Sequence, residues 1–160
     1  MKSLTRLLML GVALAAPLAL SAKITRTVEK TFAVQSGGNL TAATQGGDIT
    51  IKTSDSPEVH VLVKQVVHAS TVREADDILA KLELTLEQSG NDVTAEAKYE
   101  RRGPGTWFGN WPPVTVSFVV TVPKNFNLKL NTSGGNIAVA SVKGNVHART
   151  SGGDLRFDRI

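Results

Sequence analysis

The sequence predicts a mainly β chain that winds in short arms and stacks on copies of itself, with one helix and one hairpin inserted. Three observations predict it. The tetrad Thr-Ser-Gly-Gly begins at Thr132 and returns at Thr150, 18 residues later. Inside that period, Gly135-Asn136-Ile137, Gly144-Asn145-Val146 and Gly153-Asp154-Leu155 recur every nine residues. The same grammar stands near the start, at Gly38-Asn39-Leu40 and Gly47-Asp48-Ile49. Each unit is a glycine corner, a small polar residue and an alternating apolar run.

Composition agrees with a thin core. The 160 residues hold 14 glycines and only 5% aromatics, so Val, Ile, Leu and Ala must fill the interior. There is no cysteine, which excludes disulfides, a lipid-modified cysteine and thiolate metal sites.

Residues 1–22 read as a secretory signal peptide. Lys2 and Arg6 give a positive start, and the apolar run Leu7 to Leu20 is 14 residues long. A membrane span needs roughly 20. Small residues at Ala19, Ser21 and Ala22 supply the cleavage region. Without Lys2 and Arg6, 16 of the 18 basic residues remain against 14 acidic ones. No basic stripe survives, so nucleic acid is not an expected partner. Residues 23–160 then form a single exported domain, periplasmic or at the cell surface.

The first repeat pair follows a strand-like lead-in at Thr27 to Val34. Its glycine corners at Gly38 and Gly47 lead into alternating arms. Thr53-Ser54-Asp55-Ser56-Pro57 is a turn. Beyond it Val59, Val61 and Val63 share one strand face.

The period changes at Ser70. Thr71-Val72-Arg73-Glu74 is a capping box, with Glu74 reaching back to Thr71. Val72, Ala75, Leu79 and Leu82 have helical spacing, so a helix is expected over about Val72 to Lys81. Leu82, Leu84 and Leu86, then Val93, Ala95, Ala97 and Tyr99, alternate about a Ser89–Asp92 turn and predict a hairpin. The segment Arg101 to Pro113 carries Trp107, Phe108 and Trp111 among glycines and prolines. Beside Arg101 and Arg102 these rings make an aromatic platform for a sugar, peptide or lipid surface, or else a lid over apolar surface.

From Val114 the alternation returns: Val114, Val116, Phe118, Val120 and Val122, then Phe126, Leu128 and Leu130. The coil runs on through Ile137 and Val139, Val146 and Ala148, Leu155 and Phe157. Gly38, Gly47, Gly135, Gly144 and Gly153 are the expected corners, where positive φ or close backbone approach is needed. The 18-residue spacing sets Asn136 directly above or below Asp154, as a polar ladder. The last arm opens at Leu155 shortly before Ile160, so it is either followed by more coil or left as a bare edge open to self-association.

The order of leader, glycine pair, capped helix, hairpin and the run Val122-Pro123-Lys124 before the two Thr-Ser-Gly-Gly copies resembles a family. That family is the exported bacterial domain named "putative adhesin", kin to the head domains of autotransporter adhesins. The resemblance covers nearly all of residues 23–160. It implies a right-handed parallel β-helix-like solenoid in the cell envelope, and it implies no catalytic residue.

Catalytic and metal chemistry finds little support in the residues. Calcium-binding nonapeptides need Gly-Gly-x-Gly-x-Asp, but Ile137 stands at the second glycine place and Val139 at the Asp. His60, His68 and His147 lack metal-ligand spacing. No nucleophile elbow or phosphate loop occurs. Asp154 and Asp158 flank Arg156 on one strand face, with backbones about 13 Å apart. Glycoside hydrolysis wants carboxyl groups about 5 to 9.5 Å apart. The expected function is therefore a noncatalytic envelope module that binds a protein or glycan and uses no cofactor. A β-helix carbohydrate-active enzyme and a self-assembling structural domain are the alternatives.

Overall fold

The structure, a computed structural model, describes residues 23–100 and 112–160. The leader and the segment holding Arg101, Arg102, Trp107, Phe108 and Trp111 lie outside the described residues. Among the described residues eleven strands and one helix follow in chain order. They are β1 (Lys23–Ala33), β2 (Asn39–Thr44), β3 (Ile49–Ser54), β4 (Glu58–His68), α1 (Val72–Leu79), β5 (Leu82–Ser89), β6 (Asp92–Tyr99), β7 (Val114–Pro123), β8 (Asn127–Thr132), β9 (Ile137–Val139), β10 (Val146–Thr150) and β11 (Leu155–Phe157).

Two mixed sheets result, of six and five strands. The first has the order β1-β4-β7-β3-β9-β11 and the second β10-β8-β2-β6-β5. The expected right-handed parallel β-helix-like solenoid does not form: no coil closes, and neither sheet is purely parallel. Parallel pairing is confined to β2, β8 and β10 with β6, and to β3, β9 and β11 with β7. The remainder is antiparallel, through β1 with β4, β4 with β7, and β5 with β6. The reason lies in strand length. β1 and β4 have 11 residues each and β7 has 10, with no glycine to bend them. Such strands cross the sheet straight and pair where their apolar faces meet.

Alternation decides the interior. Val59, Val61, Val63 and Val67 of β4 and Val114, Val116, Phe118, Val120 and Val122 of β7 are buried. They face Leu40 and Ala42 of β2, Val93, Ala95 and Ala97 of β6, and Leu128 and Leu130 of β8. Phe118 and Phe126 are the largest fully buried side chains.

One end of this sandwich is capped. Helix α1 buries Ala75 and packs Ile78 and Leu79 on the core. Thr71 Oγ1 accepts the Glu74 N–H at 3.1 Å, and the Glu74 carboxylate accepts from Ser70 N at 2.8 Å. The reach-back therefore lands one residue before the N-cap. Replacing Thr71 by Ala is expected to cost about 1 kcal/mol, read by urea denaturation. Between the outer strands β1 and β5, side chains close the gap. Lys30 Nζ donates to Leu86 O at 2.8 Å, and Gln88 Nε2 donates to Ala33 O at 2.6 Å. Arg26 reaches Asp76 of the helix at 3.2 Å.

Candidate functional site

The other end of the sandwich is open. From β8 onward the chain alternates between the sheets: β8 in the second, β9 in the first, β10 in the second, β11 in the first. Each arm lies on the one 18 residues earlier, Val146 on Leu128 and Leu155 on Ile137. Burial falls along that series. Ile137 and Val139 are 0% and 2% exposed, whereas Leu155 and Phe157 in the same inward register are 44% and 42% exposed. Val146 and Ala148 are half-buried, and Ile160 is 59% exposed. Three of the five exposed large apolar residues among the described ones thus gather here, with Val28 and Val72 elsewhere.

Backbone groups are open there too. Asp154 O accepts from Ile137 N, and Asp158 N donates to Val139 O. In a parallel ladder the bonding residues alternate. The N–H and C=O of Leu155 and Phe157 therefore point away from β9. By the same rule Asn145 O, bonded by Leu128 N, leaves Val146 and Ala148 pointing outward. Sheet edges normally carry some protection against strand addition. Here the protection is that the arms are short and carry the exposed Arg149 and Arg156.

Two polar ladders run up to this end. In one, Asp48 N donates to Ser117 Oγ at 3.2 Å, Asn136 N donates to Asp48 Oδ1 at 2.8 Å, and Asp154 N donates to Asn136 Oδ1 at 2.8 Å. In the other, Asn39 Nδ2 donates to Asp92 Oδ1 at 2.6 Å, Asn127 Nδ2 to Asn39 Oδ1 at 3.0 Å, and Asn145 N to Asn127 Oδ1 at 3.0 Å. The amides of Asp48, Asn136, Asp154 and Asn145 are satisfied by side chains of the neighbouring layer, whereas those of Asn39 and Asn127 donate to the backbone carbonyls of Asn91 and Gly38. The carboxylate of Asp154 and the carboxamide of Asn145 are the terminal members.

A threonine accompanies each corner of the first ladder. Thr44 Oγ1 donates to Val116 O at 2.7 Å, Thr132 Oγ1 to Gly47 O at 2.9 Å and Thr150 Oγ1 to Gly135 O at 2.8 Å. Thr132 and Thr150 also accept the N–H of their own glycines, Gly135 at 3.3 Å and Gly153 at 3.1 Å. The glycines permit the approach. A Cβ on Gly47 would lie 1.9 Å from Val116 O; on Gly135, 2.0 Å from Gly47 O; on Gly153, 2.0 Å from Gly135 O. A Cβ on Gly38 would lie 2.3 Å from Asn91 O and 2.6 Å from the Phe126 ring, and one on Gly144 would lie 2.2 Å from Phe126 O. None of these five has positive φ; among the described residues only Gly37 and Gly90 do.

Other sequence candidates do not converge. His60 lies on β4 with Glu29 3.6 Å away, His68 ends the same strand, and His147 is in the other sheet. No group of three or more metal-ligating side chains exists among the described residues. Arg156 lies on β11 between Asp154 and Asp158, without an ion pair to either. A shallow cleft of about 500 Å³ is lined by Gly46, His68, Pro112, Pro113, Val114, Thr115 and Gly134, with no converging charged groups. Sequence reading singled out the glycines and the Asn136–Asp154 stack. It missed the threonine hydroxyls, although Thr stands three residues before the corner glycine at 44, 132 and 150.

No family model matches the chain, and no curated protein matches it significantly. Solved bacterial structures resemble it distantly. A "putative cell adhesion protein" from Clostridium sporogenes is 16% identical, with a TM-score of 0.42 over 81% of this chain and 61% of that one. A "putative adhesin" from Bacteroides fragilis is 12% identical, with a TM-score of 0.39 over 81% and 61%. A "Putative lipid binding protein" from Parabacteroides distasonis is 12% identical, with a TM-score of 0.29 over 82% and 60%. The chain thus spans about three-fifths of the length of these proteins. Likeness at this level assigns this chain neither a fold nor an activity.

Proposed function

We propose that residues 23–160 form a noncatalytic, exported binding module that takes up a further β-strand at the β10–β11 end. One observation carries the proposal. The inward-register residues Leu155 and Phe157 stand exposed beside unpaired backbone groups, while the opposite end is closed by α1, Lys30 and Gln88. Main-chain bonds would supply affinity and the apolar residues specificity, as in other β-augmentation complexes. Export rests on the leader pattern. The structure adds that no helix among the described residues is long and apolar enough to cross a membrane.

The reading is tested with a photo-crosslinking residue at Arg156 and the double variant Leu155→Lys/Phe157→Lys. Both side chains are exposed, so the variant should keep the wild-type far-UV spectrum and melting temperature. Crosslinks to a partner strand from envelope extracts are expected with wild-type protein and should vanish with the double variant. Undiminished crosslinking would move binding elsewhere. Release of reducing ends from a polysaccharide panel, abolished by Asp154→Asn, would instead establish an enzyme.

A further inference from the structure

Every second residue of a strand points away from the core, so each sheet also has an outer face. In the five-stranded sheet the register sets His147, Lys129, Thr41, Thr94 and Glu87 in one row across β10, β8, β2, β6 and β5. The next row is Arg149, Asn131, Ala43, Glu96 and Thr85. Both rows run from basic to acidic, through small uncharged residues on β2. His147, Lys129, Arg149, Glu87 and Glu96 are all exposed. Among the described residues none of them makes an ion pair within the molecule. The flanking rows do not blur this pattern: Asp92 is held by Asn39, and Lys98 lies opposite Glu83. On the six-stranded sheet the signs are interleaved instead, with Glu29 3.6 Å from His60 and Arg156 between Asp154 and Asp158.

We propose that this outer face is self-complementary, and that a second copy of the chain docks on it, sheet to sheet, about a two-fold axis parallel to the strands. The surface is separate from the β10–β11 end. A strand added beside β10 would widen the face without covering it.

Charge selects the arrangement. A two-fold axis across the strands would lay β10 on β10 and β5 on β5, like charge on like. An axis along β2 lays β10 and β8 on the partner's β5 and β6. His147 then lies over the partner's Glu87 with Lys129 one strand away. Asn131 lies over the partner's Glu96 with Arg149 one strand away. Thr41 and Ala43 meet their own copies on the axis, where small side chains let the sheets approach. An acidic polysaccharide would be attracted on β8 and β10 but repelled on β5 and β6, so a face of two signs suits the second copy better. Five strands about 4.8 Å apart and about five residues long make a face of about 400 Å². That is the low end of specific contacts, so the dimer is weak, and its exposed charges make it sensitive to salt.

Sedimentation velocity at low salt, up to about 1 mM protein, should show a monomer–dimer equilibrium. Association should weaken about tenfold or more near an ionic strength of about 1 M, where the screening length falls to about 3 Å. Lys129→Glu/Arg149→Glu and Glu87→Lys/Glu96→Lys should each be monomeric with the wild-type far-UV spectrum, and a mixture of the two should associate again. Leu155→Lys/Phe157→Lys should dimerise like wild type. The chain has no cysteine, so Thr41→Cys supplies a single thiol on the axis. A short bismaleimide should join it to its copy, whereas Thr85→Cys, four strand spacings from its copy, should stay unjoined. A monomer at about 1 mM in low salt overturns the inference. So does a dimer that survives both charge reversals, one lost in the Leu155→Lys/Phe157→Lys variant, or one crosslinked through Thr85→Cys. A monomer that binds an acidic polysaccharide through Lys129 and Arg149 also overturns it and gives the basic half to a glycan.

Discussion

Gly47→Ala is expected to lower the melting temperature by about 10 °C or more, from a loss of about 3 kcal/mol or more. The added Cβ would sit 1.9 Å from Val116 O and 2.8 Å from Ser117 N. Both are backbone atoms of β7, which lies between β4 and β3 in the six-stranded sheet. A side chain could rotate away, but a central strand bonded on both sides cannot. Gly152→Ala supplies the contrast. Its nearest new neighbour is 3.5 Å distant and its φ is not positive, so its effect should stay within about 0.5 kcal/mol. Calorimetry on the two variants decides the matter. Equal melting temperatures would mean that the stacked corners do not require glycine.

Phe118→Ala should remove about 3 to 5 kcal/mol, the usual cost of emptying a buried aromatic site. The side chain is fully buried in β7, and its flanking positions in the ladder are Val63 and Ile49. Collapse around the void would require two bonded strands to shift together. Phe157→Ala, at the open end, should cost less than about 1 kcal/mol. Urea denaturation measures both. Similar losses at the two positions would show that the open end is packed in solution and so is not free for a partner.

Local pattern made much of the molecule legible. The inward faces of β4, β7 and β8 follow from alternation alone, because a sheet with one buried face shows it every second residue. Thr71 and Glu74 marked the helix start, and the Ser89–Asp92 turn marked the hairpin. The 18-residue period set Leu155 on Ile137 without further knowledge. Strand direction was not legible. Val59, Val61 and Val63 would alternate identically in a parallel or an antiparallel neighbour, so nothing local says that β7 enters between β3 and β4. A usable signal existed: 11 residues of β4 without glycine cannot make two coil arms. The open end could be read from register, whereas its capped counterpart could not. Lys30 to Leu86 and Gln88 to Ala33 join residues 56 and 55 positions apart. Their flexible side chains carry no periodic mark.

The pairing of β2 and β3 has a kinetic consequence. Neither strand bonds to the other or to β1. β2 waits for β6 and β8, and β3 for β7 and β9, so Leu40 meets Leu128 and Ile49 meets Ile137. Folding dominated by such distant contacts is slow, on the order of milliseconds to seconds. During synthesis neither sheet can be completed until the strands from Asn127 onward have emerged. Until then β2 and β3 each lack one of their two neighbours, β8 and β9.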